Sequence, residues 1–195
     1  MKLVNKLIVA ATLSLSFAAA AIAAPITQSL DNMSYYGYQQ WGEPSLGSVT
    51  LATGTNVITS LTASAWVADQ GWGGQCPSCN YAALGLYQGE TQLWKQYVAG
   101  AVHGWTSQSF DLSQDADSQL RLTSALGAID WSSTQPVTMR MLASPIGWGG
   151  WELSIANAGF SMTSEANDVP EPASIALLGL GFAGLAAARR RKAQK

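Results

Sequence analysis

From Leu46 to Thr163 the chain repeats one pattern: short runs rich in apolar, β-branched or aromatic residues, each closed by Gly, Pro, Asn, Asp or Ser. The clearest runs from Asn56 to Asp69, where Val57, Leu61, Ala63, Ala65 and Val67 fall largely on one alternating set. Alternation at period two is the mark of a strand with one face buried. Leu46–Ala52, Tyr81–Tyr87, Thr91–Val98, Trp105–Leu112, Gln119–Leu126, Val137–Ala143 and Trp151–Thr163 are shorter runs of the same texture. No amphipathic segment of helical length stands out between residues 30 and 168. The pattern therefore predicts an all-β domain, an antiparallel jelly-roll β-sandwich of about eight strands.

Both ends break this rhythm. At the N-terminus Lys2 and Lys6 precede an apolar stretch from Leu7 to Ala21, and Ala21-Ile22-Ala23 has the small-x-small form of a cleavage site. Residues 1–23 read as a signal peptide. Cutting after Ala23 is preferred to cutting after Ala24, which would put Pro25 just past the scissile bond, and an uncleaved membrane anchor is the alternative. At the C-terminus, residues 169–195 contain Pro170-Glu171-Pro172, a stretch from Ala173 to Ala188 without charge, and then Arg189-Arg190-Arg191-Lys192. The apolar stretch is short for a spanning helix, which needs about 17 to 25 residues, and spans by thinning the bilayer or letting Arg189 snorkel. The prolines separate it from the preceding domain, and the basic cluster fixes orientation with its cations on the cytoplasmic side. A buried core helix with a solvated basic tail is the other reading.

These three parts in this order resemble the PEP-CTERM sorting signal of Gram-negative bacteria. That resemblance implies recognition by exosortase, a membrane protease-transpeptidase, after passage through the general export machinery. It implies a protein tethered to the inner membrane through its C-terminal transmembrane helix before processing, and then placed at the cell surface or in the extracellular matrix. It is confined to the tail and says nothing about the domain from about residue 24 to residue 168.

Export changes how the charge is read. The whole chain has a formal net charge of −2, but seven of its ten Lys and Arg residues lie in the two terminal segments. Between them, eleven acids face only Lys95, Arg121 and Arg140, leaving about −8 on the exported domain. Such a domain repels phosphate backbones, which excludes nucleic acid as a partner. At roughly 145 residues it is long enough for one real core and too short for two ordinary ones.

Export also decides the Cys76-Pro77-Ser78-Cys79 pair. Redox catalysis at Cys-x-x-Cys needs a helix N-terminus to lower the thiol pKa, and none is signalled here. Zinc needs two more ligands, and the chain offers one His (His103) and no further Cys. An oxidising compartment favours a structural disulfide between Cys76 and Cys79.

Eight tryptophans, all in the exported part, are the domain's own signature. Two occupy identical tetrapeptides, Gly71-Trp72-Gly73-Gly74 and Gly147-Trp148-Gly149-Gly150, the second followed by Trp151. Both tetrapeptides lie between predicted strands, and if those strands run in the same sense both loops share one rim. Trp72, Trp148 and Trp151 could then stack on sugar rings, with Asp69 and Asn80 supplying hydrogen bonds. Large aromatics bury more often than not, so the competing and favoured expectation has Trp72 and Trp148 turned inward as plugs. Trp66, Trp94 and Trp131 lie in or beside strands and are expected in the core or half-core. Trp105, the Ser109-Phe110-Asp111-Leu112 run, the Gln119–Leu126 run and the closing Trp151–Met162 run loosely resemble galactose-binding-like jelly rolls in their order. That resemblance implies a carbohydrate-binding sandwich without naming a ligand.

Catalytic constellations are not visible. His103 has no Gly-x-Ser-x-Gly elbow to serve, and a carboxylate pair for glycoside cleavage is a matter of spacing in space. Asp111, Asp115 and Asp117 could chelate calcium, but turn formation is the simpler role for them, so no metal or cofactor is expected. Three function classes remain. The first is a non-enzymatic surface or matrix protein associated with exopolysaccharide or biofilm. The second is a carbohydrate-binding module using its Trp-bearing loops, and the last is a polysaccharide-acting enzyme.

Overall fold

The computed structural model describes residues 24–70 and 74–166. The signal peptide, Trp72 and the whole C-terminal segment, including Pro170, Glu171, Pro172, Arg189, Arg190, Arg191, Lys192 and the expected transmembrane helix, lie outside the described residues. Among the described residues no helix is long and apolar enough to cross a membrane.

Among the described residues eight strands form in chain order: β1 (Ile26–Tyr38), β2 (Ser45–Thr50), β3 (Thr55–Ala68), β4 (Tyr81–Gln88), β5 (Thr91–Gly100), β6 (Thr106–Asp111), β7 (Val137–Ser144) and β8 (Glu152–Ala166). One sheet has the order β1-β8-β3-β6 and the other β2-β7-β4-β5, with every pairing antiparallel. First pairs with last, second with seventh, third with sixth and fourth with fifth, which is the strand order of a jelly roll. Inward residues of both sheets, among them Leu61, Val67, Leu84, Leu86, Met139, Met141, Leu153 and Phe160, form one buried cluster.

The expected strand at Gln119–Leu126 is instead part of a helix, α1 (Ala116–Gly127), preceded by a 3-10 turn at Leu112–Gln114. Leu120 and Leu122 alternate as a strand would, but Leu122, Ala125 and Leu126 also follow helical spacing and are the apolar residues α1 buries. Asp115 is the N-cap, its carboxylate accepting from the Ser118 N–H at 2.9 Å and from the Ser118 hydroxyl at 2.7 Å. Asp111 caps the 3-10 turn in the same manner, accepting from the Ser113 N–H at 2.9 Å. Asp117 pairs with Arg121 one turn on, at 2.8 Å. The three aspartates weighed as calcium ligands thus serve this short helical excursion. Among the described residues no group of three His, Cys, Asp or Glu side chains could hold a metal ion.

β1 is the strand that the alternating pattern did not predict, and its geometry explains why. Gln28 and Leu30 are half-buried, and after Asp31 and Asn32 the half-buried set becomes Met33 and Tyr35. A bulge there shifts the phase by one residue, with Asn32 at φ 57° and the β1–β8 register changing between Leu30 and Met33. β8 carries a matching break at Asn157 (φ 47°), before which Leu153 and Ile155 are buried and after which Ala158, Phe160 and Met162 are.

The second sheet is buried on both faces along β4 and β7. Ala83, Tyr87 and Leu142 make a small outer cluster with Tyr81 packed on it. Arg140 lies over the Tyr87 ring at 4.3 Å and pairs with Glu90, while Lys95 lies over the Tyr81 ring at 5.0 Å and pairs with Glu43. All three cations of the domain are thereby engaged with carboxylates.

Several carboxylates hold their charge by local bonds. The Ser118 backbone and hydroxyl depress the pKa of Asp115, the Ser132 hydroxyl and backbone that of Asp130, and Arg140 that of Glu90. A depressed folded-state pKa gives stability that is present above the unfolded-state value and lost as pH falls through the folded one. Thermal stability is therefore expected to hold from neutrality down to about pH 4, the ordinary carboxylate value, and to decline below it. Melting curves from pH 7 to pH 2 check this, and Asp115→Asn, which keeps a capping oxygen without the charge, should flatten part of the decline.

Candidate functional site

Chain direction places residues 39–44, 69–70, 74–80 and 145–151 at one end of the two-sheet body, since Tyr38, Ala68, Tyr81, Ser144 and Glu152 are the strand residues that border them. The opposite end holds the turns 51–54, 89–90 and 128–136 and also the first and last described residues. The sequence-derived rim residues Asp69, Asn80, Trp148 and Trp151 all fall at the first end.

They do not play equal parts. Asn80 is fully buried. Its amide donates to the Glu152 carbonyl at 3.0 Å and its carbonyl oxygen accepts from the Ile146 N–H at 2.6 Å. Its backbone accepts from the Ala101 N–H at 2.8 Å and donates to the Cys76 carbonyl at 3.0 Å. Asn80 is therefore the tie that joins the disulfide loop, the segment just after β5, the 145–151 loop and β8, and it is not a ligand-facing group. Asp69 is buried as well, with its carboxylate 3.7 Å from His103 Nε2 and its backbone bridged to the same residue. Both polar side chains expected to meet a ligand lie beneath the rim instead.

The Cys76–Cys79 disulfide is formed, with the Cα atoms 5.1 Å apart. The Cys79 N–H donates to the Cys76 carbonyl at 2.9 Å, so bridge and backbone bond close the same turn. It braces the loop that leads into Asn80, which is a structural role.

Trp148 is 55% exposed, contrary to the plugging role favoured for it. The Trp151 N–H donates to the Trp148 carbonyl at 3.1 Å, and Gly150 at φ 85° takes the left-handed conformation that this turn requires. The two indoles meet edge to face, with centroids 6.2 Å apart. Of the two, Trp151 is the half-buried ring.

A residue that the repeated tetrapeptides did not signal completes the cluster. Trp41 is 69% exposed and its indole lies on the backbone of Gly147, where any Cβ would collide with the ring. The Gln39 N–H donates to the Trp151 carbonyl at 2.9 Å, fastening the β1–β2 loop to the β7–β8 loop. The Tyr35 hydroxyl donates to Gln40 Oε1 at 2.7 Å on the same loop. Trp41-Gly42 is itself a Trp-Gly pair with its glycine at φ 104°, a local signal of the same kind as the two tetrapeptides. Tyr38 and Tyr36 extend the exposed aromatic surface down β1. The Tyr36 hydroxyl donates to Glu152 at 3.3 Å, and the charge of that carboxylate raises the tyrosine's pKa.

Trp66, expected in the core or half-core, is 46% exposed on the outer face of β3, whereas Trp94 is buried and Trp131 packs partly buried against the core. The arrangement can thus present flat apolar rings beside hydroxyl and carboxylate groups.

Comparison with known proteins yields one family match, to the PEP-CTERM protein-sorting motif over residues 168–192. Among curated proteins none matches the chain. Solved structures of infectious bursal disease virus VP2 are similar at low identity. A subviral particle is 13% identical with a TM-score of 0.38, and the Gx strain 14% identical with a TM-score of 0.38. In each case the match covers 76% of this chain and 34% of the viral one, so the chain spans about a third of their length.

Proposed function

We propose that this is an exported, exosortase-sorted surface or matrix protein whose aromatic rim holds polysaccharide of the extracellular matrix. The sorting motif at residues 168–192 supports the export and processing. The observation that carries the binding role is the exposure of Trp41 and Trp148, each held by backbone geometry on a shared loop junction and not merely left uncovered. An indole face offers apolar area to the C–H face of a sugar ring, and neighbouring polar groups set its orientation. In this reading the domain binds and does not turn over its ligand, and it needs no cofactor. Its partners are the export machinery, the sorting enzyme, the membrane before processing, and the polymer.

Residues 24–166 form a compact unit, so the exported domain, residues 24–168, is the form to assay. Co-sedimentation with the host's own exopolysaccharide should retain it, and Trp41→Ala with Trp148→Ala should weaken retention by about tenfold or more, equivalent to ~1.4 kcal/mol. Unchanged retention in a folded double variant would sink the rim. Release of reducing sugar from the same polymer would instead favour an enzyme.

A further inference from the structure

Among the described residues the outer face of the β1-β8-β3-β6 sheet is uncovered, and it carries a consistent chemistry. On β3 the outward residues Thr62, Ser64 and Trp66 follow one another at every second position, about 6.7 Å apart along the strand. Thr62 lies in register between Ser161 of β8 and Asp111 of β6, and Ser64 between Gly159 and Ser109. These two rungs floor a shallow trough of about 350 Å³, with Asp31 and Asp111 at its sides.

Asp31 sits where the β1 register shifts, opposite Gly159. A Cβ at Gly159 would come within 3.0 Å of Asp31 Oδ1 and 2.7 Å of the Leu30 carbonyl, so only glycine leaves room for Asp31 to lean across β8. Two positions beyond Ser64, Trp66 stands 46% exposed, and Tyr36 stands 64% exposed on the far side of β8. The strand between them offers only the small residues Ser154 and Ala156 at that level. Two strands apart, the rings flank a bench roughly 10 Å wide. Tyr38 and Glu152, next along the same face, lead to the rim.

The charge of this face selects its occupant. Its charged groups include Asp31, Asp111 and Glu152, while the domain's cations lie elsewhere, Lys95 and Arg140 on the other sheet and Arg121 on α1. Anionic polymers are repelled. Hydroxyls that both donate and accept suit a ligand whose groups do the same, and aromatic rings suit its apolar ring faces.

We infer that this sheet face is a second binding surface, on which an extended neutral polysaccharide chain runs from the rim past Tyr36 and Trp66 into the Asp31–Asp111 trough. The inference deepens the rim reading, and the two fail separately. Affinity electrophoresis of the exported domain through gels containing hydroxyethylcellulose or galactomannan (neutral) or alginate (anionic) tests it.

Ser64→Arg should reduce retardation by the neutral polymers about fivefold or more, and Trp66→Ala should act in the same direction at an unchanged melting temperature. Combining either with Trp41→Ala and Trp148→Ala should abolish retardation. If Ser64→Arg and Trp66→Ala both leave neutral-polymer affinity unchanged while the rim variants lower it, the sheet surface is wrong and the rim stands. If the pattern is reversed, the rim is wrong and the sheet surface stands. Tighter binding of alginate than of both neutral polymers overturns the neutral occupant, and no retardation in any gel overturns both surfaces.

Discussion

Asn80→Ala is expected to lower the stability of the exported domain by about 2 to 4 kcal/mol, because it leaves the buried Ile146 N–H and the part-buried Glu152 carbonyl without their side-chain partner. Asn80 is fully buried, and its side chain alone satisfies the Ile146 N–H and reaches the Glu152 carbonyl. Those two groups belong to the two ends of the loop that displays Trp148, so the loss falls on the rim first. Thermal unfolding should move down by roughly 10 °C for a domain of this size. Asn80→Asp, which keeps the acceptor but sets a buried carboxylate against the Glu152 carbonyl, should be tolerated no better than the alanine variant. A melting temperature unchanged by Asn80→Ala would show that the tie carries little.

The second large effect separates helix from strand in the 116–127 segment. Leu122→Ala should cost about 2 to 5 kcal/mol, the range for a fully buried leucine, while Leu120→Ala should change stability by no more than about 0.5 kcal/mol. In a strand these two residues share a face, and their substitutions would resemble each other. On α1 they point apart: Leu122 is buried and Leu120 is 71% exposed. Ala is the better helix former, which removes any propensity penalty at the exposed position. Chemical denaturation of the two variants side by side decides the matter, and equal losses would contradict the helix.

The same pair shows why part of the fold was legible and part was not. Strands β3, β4, β5 and β7 could be read because their burial follows sequence parity or a continuous apolar run. Leu120 and Leu122 alternate as in a strand while Leu122, Ala125 and Leu126 keep helical spacing, and the arbiters are the Asp115 cap and the Asp117–Arg121 pair, both local and both present in the sequence. β1 was hidden for a different reason: a bulge moves its inward set from even to odd positions, so no single alternation spans it. At the rim, a Trp-Gly pair accompanies an exposed indole at Trp41 as it does at Trp148. Asp69 and Asn80 were assigned to the surface because polarity suggests exposure. Only the crossing of distant segments, from Cys76 to Glu152, shows that Asn80 replaces backbone partners that water would otherwise supply.

β8 has a mechanical consequence. It is the longest strand, it lies between β1 and β3, and it runs from Glu152 beside the rim to Ala166 at the opposite end. A pull applied at Ala166 and resisted by a polymer gripped at the rim runs along that strand. Hydrogen bonds across a sheet lie perpendicular to its strands, so this load shears two rows of bonds together and does not open one row bond by bond. In the proposed role, drag on a polymer held at the rim would load both of these rows of hydrogen bonds at once.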